Sequence, residues 1–157
     1  MTAKPNNETT AKKARKFNGE DYKCLPRWKN ATKTQWNDWK WQMANAVRDV
    51  ESLKETLPIS QEQEDGVRKA LERFRMAITP YYASLIDPSD PNDPVLLQAV
   101  PSANEAIIRP TDMRDPLGED VDSPVHGLTH RYPDRTLLLI TQVCAMYCRH
   151  CTRRRSV

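Results

Sequence analysis

The chain has 157 residues, which suits one domain of ordinary size, and it is 38% hydrophobic and 29% charged with only 4 glycines and 12 prolines. This composition favours a helical body with a polar surface and many loops over a large apolar core. No apolar run approaches the roughly 20 residues that a membrane-spanning helix needs, so we expect no membrane partner. No apolar stretch follows the charged N-terminus as it would in a secretory signal, and we therefore expect a cytoplasmic protein.

The basic residues lie mainly towards the two ends of the chain. Residues 1–30 carry eight Lys and Arg against three acidic residues, residues 31–148 carry twelve against eighteen, and residues 149–155 add four arginines. A nucleic-acid-binding domain would concentrate basic residues in its body, so we expect no nucleic-acid partner. Three of the four cysteines are clustered, which is typical of metal ligands in a reducing compartment rather than of a disulfide framework.

Residues 1–33 are predicted to form a basic, largely disordered leader, because Lys, Asn and Thr dominate there without apolar periodicity. We interpret Cys24, which has no neighbouring cysteine, as an incidental thiol. A helical region is predicted over 34–100. Its first helix spans 35–47 with Thr34 as N-cap, and places Trp36, Trp39, Met43 and Val47 on one packed face.

Four more helices follow from capping and turn signals in the same region. The capping box at residues 60–63 predicts a helix that runs to about Met76. Asp93 and Pro94 are the N-cap and first residue of a short helix that ends at Ala99. The other two helices are predicted over 50–57 and 81–86.

A loop-rich connector is predicted over 101–135, and the most apolar run of the chain follows it. Residues 136–141 are predicted to form a buried parallel strand, and residues 136–157 to comprise this strand and a cysteine loop. The predicted fold class is therefore α/β, although helix and loop account for most of the chain. Strands that end in ligand-bearing loops are where α/β folds place their chemistry.

The cysteine loop contains Cys144, Cys148 and Cys151 in the spacing Cys-x3-Cys-x2-Cys. Structural zinc sites require four ligands, and His150 is poorly placed as the fourth because it adjoins Cys151. A redox pair would use Cys148 and Cys151 and leave Cys144 without a role. An iron–sulfur cluster on three thiolates fits better, since one iron then remains open for a substrate or cofactor. A zinc-binding module remains the alternative.

Arginines on either side of the predicted strand are candidates for binding anionic groups. Arg153 follows the last cysteine closely, and Arg131 and Arg135 precede the strand. A run of arginines is usually a solvated surface, but beside a metal cofactor a guanidinium is a good fork for a carboxylate or phosphate.

Several segments together resemble the lysine 2,3-aminomutase family of radical S-adenosylmethionine enzymes. They include Trp36-Asn-Asp-Trp39-Lys-Trp41-Gln, Gly127-Leu-Thr-His-Arg-Tyr-Pro-Asp-Arg135 and Met146-Tyr-Cys-Arg-His-Cys-Thr-Arg-Arg154. The resemblance runs from about Thr34 to Arg155. It implies that Cys144, Cys148 and Cys151 bind a [4Fe-4S] cluster, whose open iron binds S-adenosylmethionine and generates a 5′-deoxyadenosyl radical.

The resemblance also implies a pyridoxal 5′-phosphate that carries the amino acid while its amino group moves from the α- to the β-carbon. Arg131, Tyr132 and Arg135 are implied contacts of this cofactor, and Arg153 is implied to hold the substrate carboxylate. L-lysine is the implied substrate, with glutamate and arginine as alternatives. The implied partners are an electron donor such as flavodoxin or ferredoxin and further copies of the chain in a homo-oligomer.

In that family a partial (β/α) barrel mostly follows the cysteine loop. Its glycine-rich cofactor stretch and its imine-forming lysine have no counterpart in this chain. A single parallel strand cannot cover both of its faces. We therefore expect an N-terminal fragment that carries no catalytic residue and does not turn over by itself.

Overall fold

The structure, a computed structural model, describes residues 21–153. Six short α-helices lie in this part of the chain: α1 Lys33–Trp36, α2 Trp39–Ala44, α3 Val50–Thr56, α4 Gln61–Leu71, α5 Pro80–Ser84 and α6 Pro94–Ala99. Three 3-10 helices accompany them: η1 Asp21–Cys24, η2 Pro26–Trp28 and η3 Ala103–Ala106. The strands β1 Leu128–Tyr132 and β2 Arg135–Leu138 form a two-stranded antiparallel sheet.

The helices share one apolar core. Fully buried side chains from separate elements meet there, among them Tyr22, Val47, Leu53, Val67 and Ile78. The backbones of Val47 and Ile78 form an antiparallel bridge, with N–H···O distances of 2.8 and 3.0 Å. This bridge joins the α2–α3 connection to the segment before α5, so residues far apart in sequence are fixed side by side.

Side-chain caps set most of the helix starts, and three of the predicted starts are confirmed. Ser60 and Gln63 form the capping box of α4, and the Asp93 side chain accepts from Leu96 N at 2.8 Å at the start of α6. Helix α3 begins at Val50, as predicted, where Asp49 accepts from Ser52 N at 2.7 Å.

The helix predicted over 35–47 is instead two short helices. Thr32, not Thr34, is the N-cap of α1. Asp38 is the N-cap of α2, where its side chain accepts a hydrogen bond from Lys40 N at 2.9 Å and separates the two helices. This local hydrogen bond competes with helix continuation. The predicted packed face fails at Trp39, which is 69% exposed, whereas Trp41 packs against Trp36 with ring centroids 6.2 Å apart.

Helix α4 ends at Leu71, before the predicted end near Met76. The backbone leaves the helix early because Ile78 pairs in an extended conformation with Val47.

The predicted disordered leader is wrong over residues 21–33. Tyr22 is 2% exposed and stacks on Trp36 with ring centroids 4.2 Å apart, and Trp28 is also buried. Two large aromatic rings bury enough apolar surface to order a segment that shows no regular apolar pattern. The free thiol of Cys24 is exposed. The rest of the predicted leader lies outside the described residues.

The predicted buried parallel strand at 136–141 is also wrong. Strand β2 pairs antiparallel with β1, with Leu128 opposite Leu138 and Tyr132 opposite Arg135, because only two residues separate the strands and such a turn reverses the chain. All four residues of β2 are exposed, and Ile140 beyond it is 86% exposed. The described residues therefore form mostly helix and loop with a small antiparallel sheet, and they show no barrel.

In the described part of the chain, the helices are all too short or too polar to cross a membrane.

Gly66 brings α4 against η3. A Cβ atom at this position would lie 3.1 Å from Ala103 N and 3.2 Å from Ala103 Cβ, which is closer than ordinary packing distance. Glycine is the residue that permits this approach. The contact places η3, and with it Glu105, beside the cysteine loop described below.

Replacing Gly66 with Ala is expected to lower the free energy of unfolding by about 1 kcal/mol, because crowding against η3 outweighs the helix propensity gained. Urea unfolding followed by circular dichroism measures the change. Lys69→Ala, at an exposed position of the same helix, serves as the control and should change stability little. A more stable Gly66→Ala chain would contradict the close approach of α4 and η3.

Candidate functional site

The cysteine loop is fixed to the helical core by backbone pairing. Ile78, which already pairs with Val47, forms a second antiparallel bridge with Met146. Thr79 N donates to Ala145 O at 3.1 Å, Tyr147 N donates to Ala77 O at 2.9 Å, and the Met146 side chain is 6% exposed in the core. Met146, which lies midway in sequence between Cys144 and Cys148, is thus part of the core.

Arg149 anchors the other half of the loop. Its guanidinium donates to Glu105 of η3, with Nε–Oε1 at 3.0 Å and Nη2–Oε2 at 2.6 Å, and Nη1 donates to Arg75 O at 2.9 Å. The two side chains are only 9% and 16% exposed. The Arg149 backbone N–H donates to Gln98 O at 2.8 Å. A partly buried, two-point ion pair of this kind is directional and holds the loop in one orientation.

The three loop cysteines have different surroundings. Cys148 is partly buried, and Gln98 Nε2 lies 3.6 Å from its Sγ atom. Cys151 N donates to Cys148 O at 3.1 Å, and Cys151 lines an open groove of about 920 Å³ beside η3. Cys144 is exposed. All four cysteines of the chain lie within the described residues and carry free thiols.

The donor chemistry of the loop fits an iron–sulfur cluster, since three free thiols are available within eight residues. An amide N–H close to Cys148 Sγ is the kind of outer contact that orients a thiolate ligand. The structure does not bring the three thiols together, however. Within residues 21–153 no three His, Cys, Asp or Glu side chains lie close enough to share a metal ion. His150, the fourth ligand considered for zinc, is exposed.

The predicted cofactor contacts lie on the β1–β2 hairpin and divide into two groups. The Arg135 guanidinium lies over the Tyr132 ring at 4.8 Å from its centroid, so these two side chains form one exposed cation–π pair. Arg131 instead donates from Nε to Asp122 Oδ2 at 2.7 Å and from Nη2 to Leu117 O. The hydrogen bond to Asp122 is the main cause that raises the pKa of Arg131 above its usual value.

Arg153, the predicted carboxylate-binding residue, already holds a carboxylate. Its Nε donates to Glu119 Oε2 at 3.2 Å and its Nη2 donates to Glu119 Oε1. Glu119 belongs to residues 115–122, which we call the acidic segment and which also binds Arg131 through Asp122. One segment therefore contacts arginines from two different predicted subsites.

Glu105, Glu119 and Asp122 carry no role predicted from the sequence. The partner of Arg149 lies 44 residues away and the partner of Arg153 lies 34 residues away, so no local spacing reveals either pair. The one sequence feature that could have indicated such pairs is composition, because the acidic segment and the arginines carry opposite charges. Arg154 and Arg155 lie outside the described residues.

Replacing Arg149 with Met is expected to lower the free energy of unfolding by about 3 kcal/mol, because the change removes a two-point ion pair between side chains that are only 9% and 16% exposed. Denaturant unfolding measures the loss. Arg135→Met is the matched control, since the Arg135–Asp134 pair is about 70% exposed on both sides and should contribute well under 1 kcal/mol. Equal losses in the two variants would show that the Arg149 pair does not hold the loop.

Comparison with known proteins finds aminomutases that are similar to this chain, and no protein-family model matches it. The L-lysine 2,3-aminomutase of Clostridium subterminale is 60% identical over 127 residues, which is 81% of this chain and 30% of that protein. The Bacillus subtilis L-lysine 2,3-aminomutase is 49% identical over 85% of this chain and 28% of its own length. The glutamate 2,3-aminomutase of Clostridioides difficile is 41% identical over 82% of this chain and 30% of its own length.

The chain thus spans about 30% of the length of the curated relatives it matches. The resemblance predicted from the motifs is confirmed: over about four fifths of its length, this chain is similar to L-lysine 2,3-aminomutases at 49–60% identity.

Proposed function

We propose that this chain is the cluster-holding and carboxylate-holding part of an amino acid 2,3-aminomutase. The observation that carries the proposal is the docking of a three-thiol loop on the core, with a carboxylate-binding arginine two residues after the last thiol. The relatives named L-lysine 2,3-aminomutase support it at 49–60% identity. Because the chain spans only about 30% of their length, the complete reaction is part of the proposal.

In this proposal Cys144, Cys148 and Cys151 hold a [4Fe-4S] cluster through their thiolates. When bound there, the cluster together with S-adenosylmethionine would supply radical chemistry for removing a hydrogen atom from a substrate. The chain itself contributes the position of the ligands. Met146 and Arg149 fix the loop backbone on either side of Cys148, and the Gln98 amide stabilises its thiolate by donating an N–H.

The hairpin and Arg153 would hold the organic groups. Tyr132 and Arg135 supply one aromatic face and one guanidinium, the partners that a planar phosphorylated ring requires, and Arg131 supplies a second guanidinium. Pyridoxal 5′-phosphate at this place would supply covalent attachment of the amino group. Arg153 would orient the substrate through its carboxylate, in the two-point geometry that it shows with Glu119.

L-lysine is the proposed substrate, giving β-lysine. The identities to the two lysine enzymes described above, 60% and 49%, exceed the 41% identity to the glutamate enzyme. Reduction of the cluster by flavodoxin or ferredoxin and assembly of several identical subunits in the cytoplasm belong to the same proposal.

Anaerobic reconstitution of the chain with iron and sulfide tests the cluster assignment. The chain is expected to take up about four irons and to show the absorption and electron paramagnetic resonance of a [4Fe-4S] cluster. Replacing Cys144, Cys148 or Cys151 with Ala, one at a time, should remove most of this iron, because each change deletes one of three ligands. Cys24→Ala is the matched control, since Cys24 is exposed and distant in sequence, and it should retain full iron content.

Unchanged iron content in the Cys148→Ala chain would contradict the assignment. Uptake of one zinc ion in place of iron, lost with the same three substitutions, would instead support a zinc-binding module.

A further inference from the structure

The pairing of Arg153 with Glu119 has the form of a bound ligand. Two N–H groups of one guanidinium donate to the two oxygens of one carboxylate, which is how an arginine binds the α-carboxylate of an amino acid. The Glu119 side chain is 14% exposed and the Arg153 side chain is 37% exposed, so solvent reaches the pair from the arginine side. The chain itself thus supplies a carboxylate at the place proposed for a substrate carboxylate.

The backbone around Glu119 is fixed by local hydrogen bonds. Gly118 has a φ of +63°, which glycine adopts readily, and its N–H donates to Asp115 O at 3.1 Å. The Glu119 carbonyl accepts from Ser123 Oγ at 2.7 Å and from Asp122 N at 3.2 Å. The backbone is therefore held by contacts that do not involve the carboxylate, and the side chain can leave Arg153 without unfolding the turn.

We propose that Glu119 is a placeholder carboxylate, which occupies Arg153 until the carboxylate of an amino acid ligand displaces it. The inference rests on the proposed role of Arg153 as the carboxylate-binding residue. One guanidinium edge cannot hold two carboxylates in the same two-point geometry, and two carboxylates placed there would repel each other. Binding is thus an exchange of one carboxylate for another, and the hydrogen bonds lost resemble those gained.

Arg131 is a second cation that can attract the Glu119 carboxylate after it leaves Arg153. The charge of Glu119 is among the smaller causes that raise the pKa of Arg131, after the dominant hydrogen bond to Asp122. The turn that carries Glu119 also lies beside Arg131, since a Cβ atom on Gly118 would lie 3.9 Å from Arg131 Nη2. A ligand without a carboxylate gains nothing at Arg153 that Glu119 does not already provide, so the exchange selects for carboxylate-bearing ligands.

Solution NMR of the chain labelled with ¹⁵N-arginine tests the exchange. The Nε–H signal of Arg153 is assigned by its loss in Arg153→Lys, and its shift is followed with increasing L-lysine. Glu119→Gln should bind L-lysine about three- to fivefold more tightly than the unaltered chain, because the competing charge is gone. Lysinamide, which lacks the carboxylate, should leave the signal unshifted in every variant.

Asp134→Asn is the matched control for charge, since it removes an exposed carboxylate near Arg135 and leaves Arg153 paired. It should bind L-lysine as the unaltered chain does. Glu119→Asp keeps the charge but shortens the reach, and it should show an affinity between those of the unaltered chain and Glu119→Gln. If Glu119→Gln fails to fold, judged by loss of signal dispersion, Glu119→Asp decides the question by the same comparison with the unaltered chain.

Equal or weaker L-lysine binding in Glu119→Gln, or in Glu119→Asp where that variant decides, would overturn the placeholder role and leave Arg153 as a carboxylate site. Absence of any L-lysine shift at Arg153 in all variants would overturn the proposed role of Arg153 itself, and the inference with it.

Discussion

The fold depends on one extended residue, Ile78, whose backbone pairs on both sides. On one side it forms a bridge with Val47 inside the helical core, and on the other with Met146 in the cysteine loop. These bridges cross large sequence separations, and each seals polar backbone groups that would otherwise be buried without partners. The loop backbone is therefore attached to the core at Met146, which lies two residues from both Cys144 and Cys148.

Ion pairs also hold the cysteine loop and the acidic segment, and these pairs differ in how far they are buried. Arg149 and Glu105 are largely removed from solvent, so their pair has strict geometry and is costly to break. The Arg131 and Arg153 side chains are more exposed, at 39% and 37%, although Glu119 is as well buried as Glu105. The buried pair holds the loop in place, whereas solvent reaches the other two pairs from the arginine side, which is where the proposed anionic ligands would approach.

Capping residues in the sequence predicted the helix starts that are determined by hydrogen bonds between near neighbours in the chain. The caps at Ser60 and Asp93 and the start of α3 lie where their hydrogen bonds require. The apolar run that was predicted to form a buried parallel strand is an exposed antiparallel strand, because period and hydrophobicity do not reveal what covers a strand. Pairs such as Arg149–Glu105 could not be predicted from the sequence, since contacts across 44 residues leave no local pattern. The three thiols are predicted as ligands from their spacing, and that assignment stays a prediction, since they do not lie close enough together within residues 21–153 to share a metal ion.

Hydrogen exchange at the backbone amides of the cysteine loop tests the central claim most directly. Tyr147 N–H and Arg149 N–H are bonded to Ala77 O and Gln98 O at 2.9 and 2.8 Å, so they should exchange as slowly as the core amide of Val47. Slow exchange at these two amides, with fast exchange at exposed Cys144, is the result that a core-anchored loop predicts. Fast exchange at all three would show that the loop is not held by the helical core, and the positioning of the thiols would then have no structural basis.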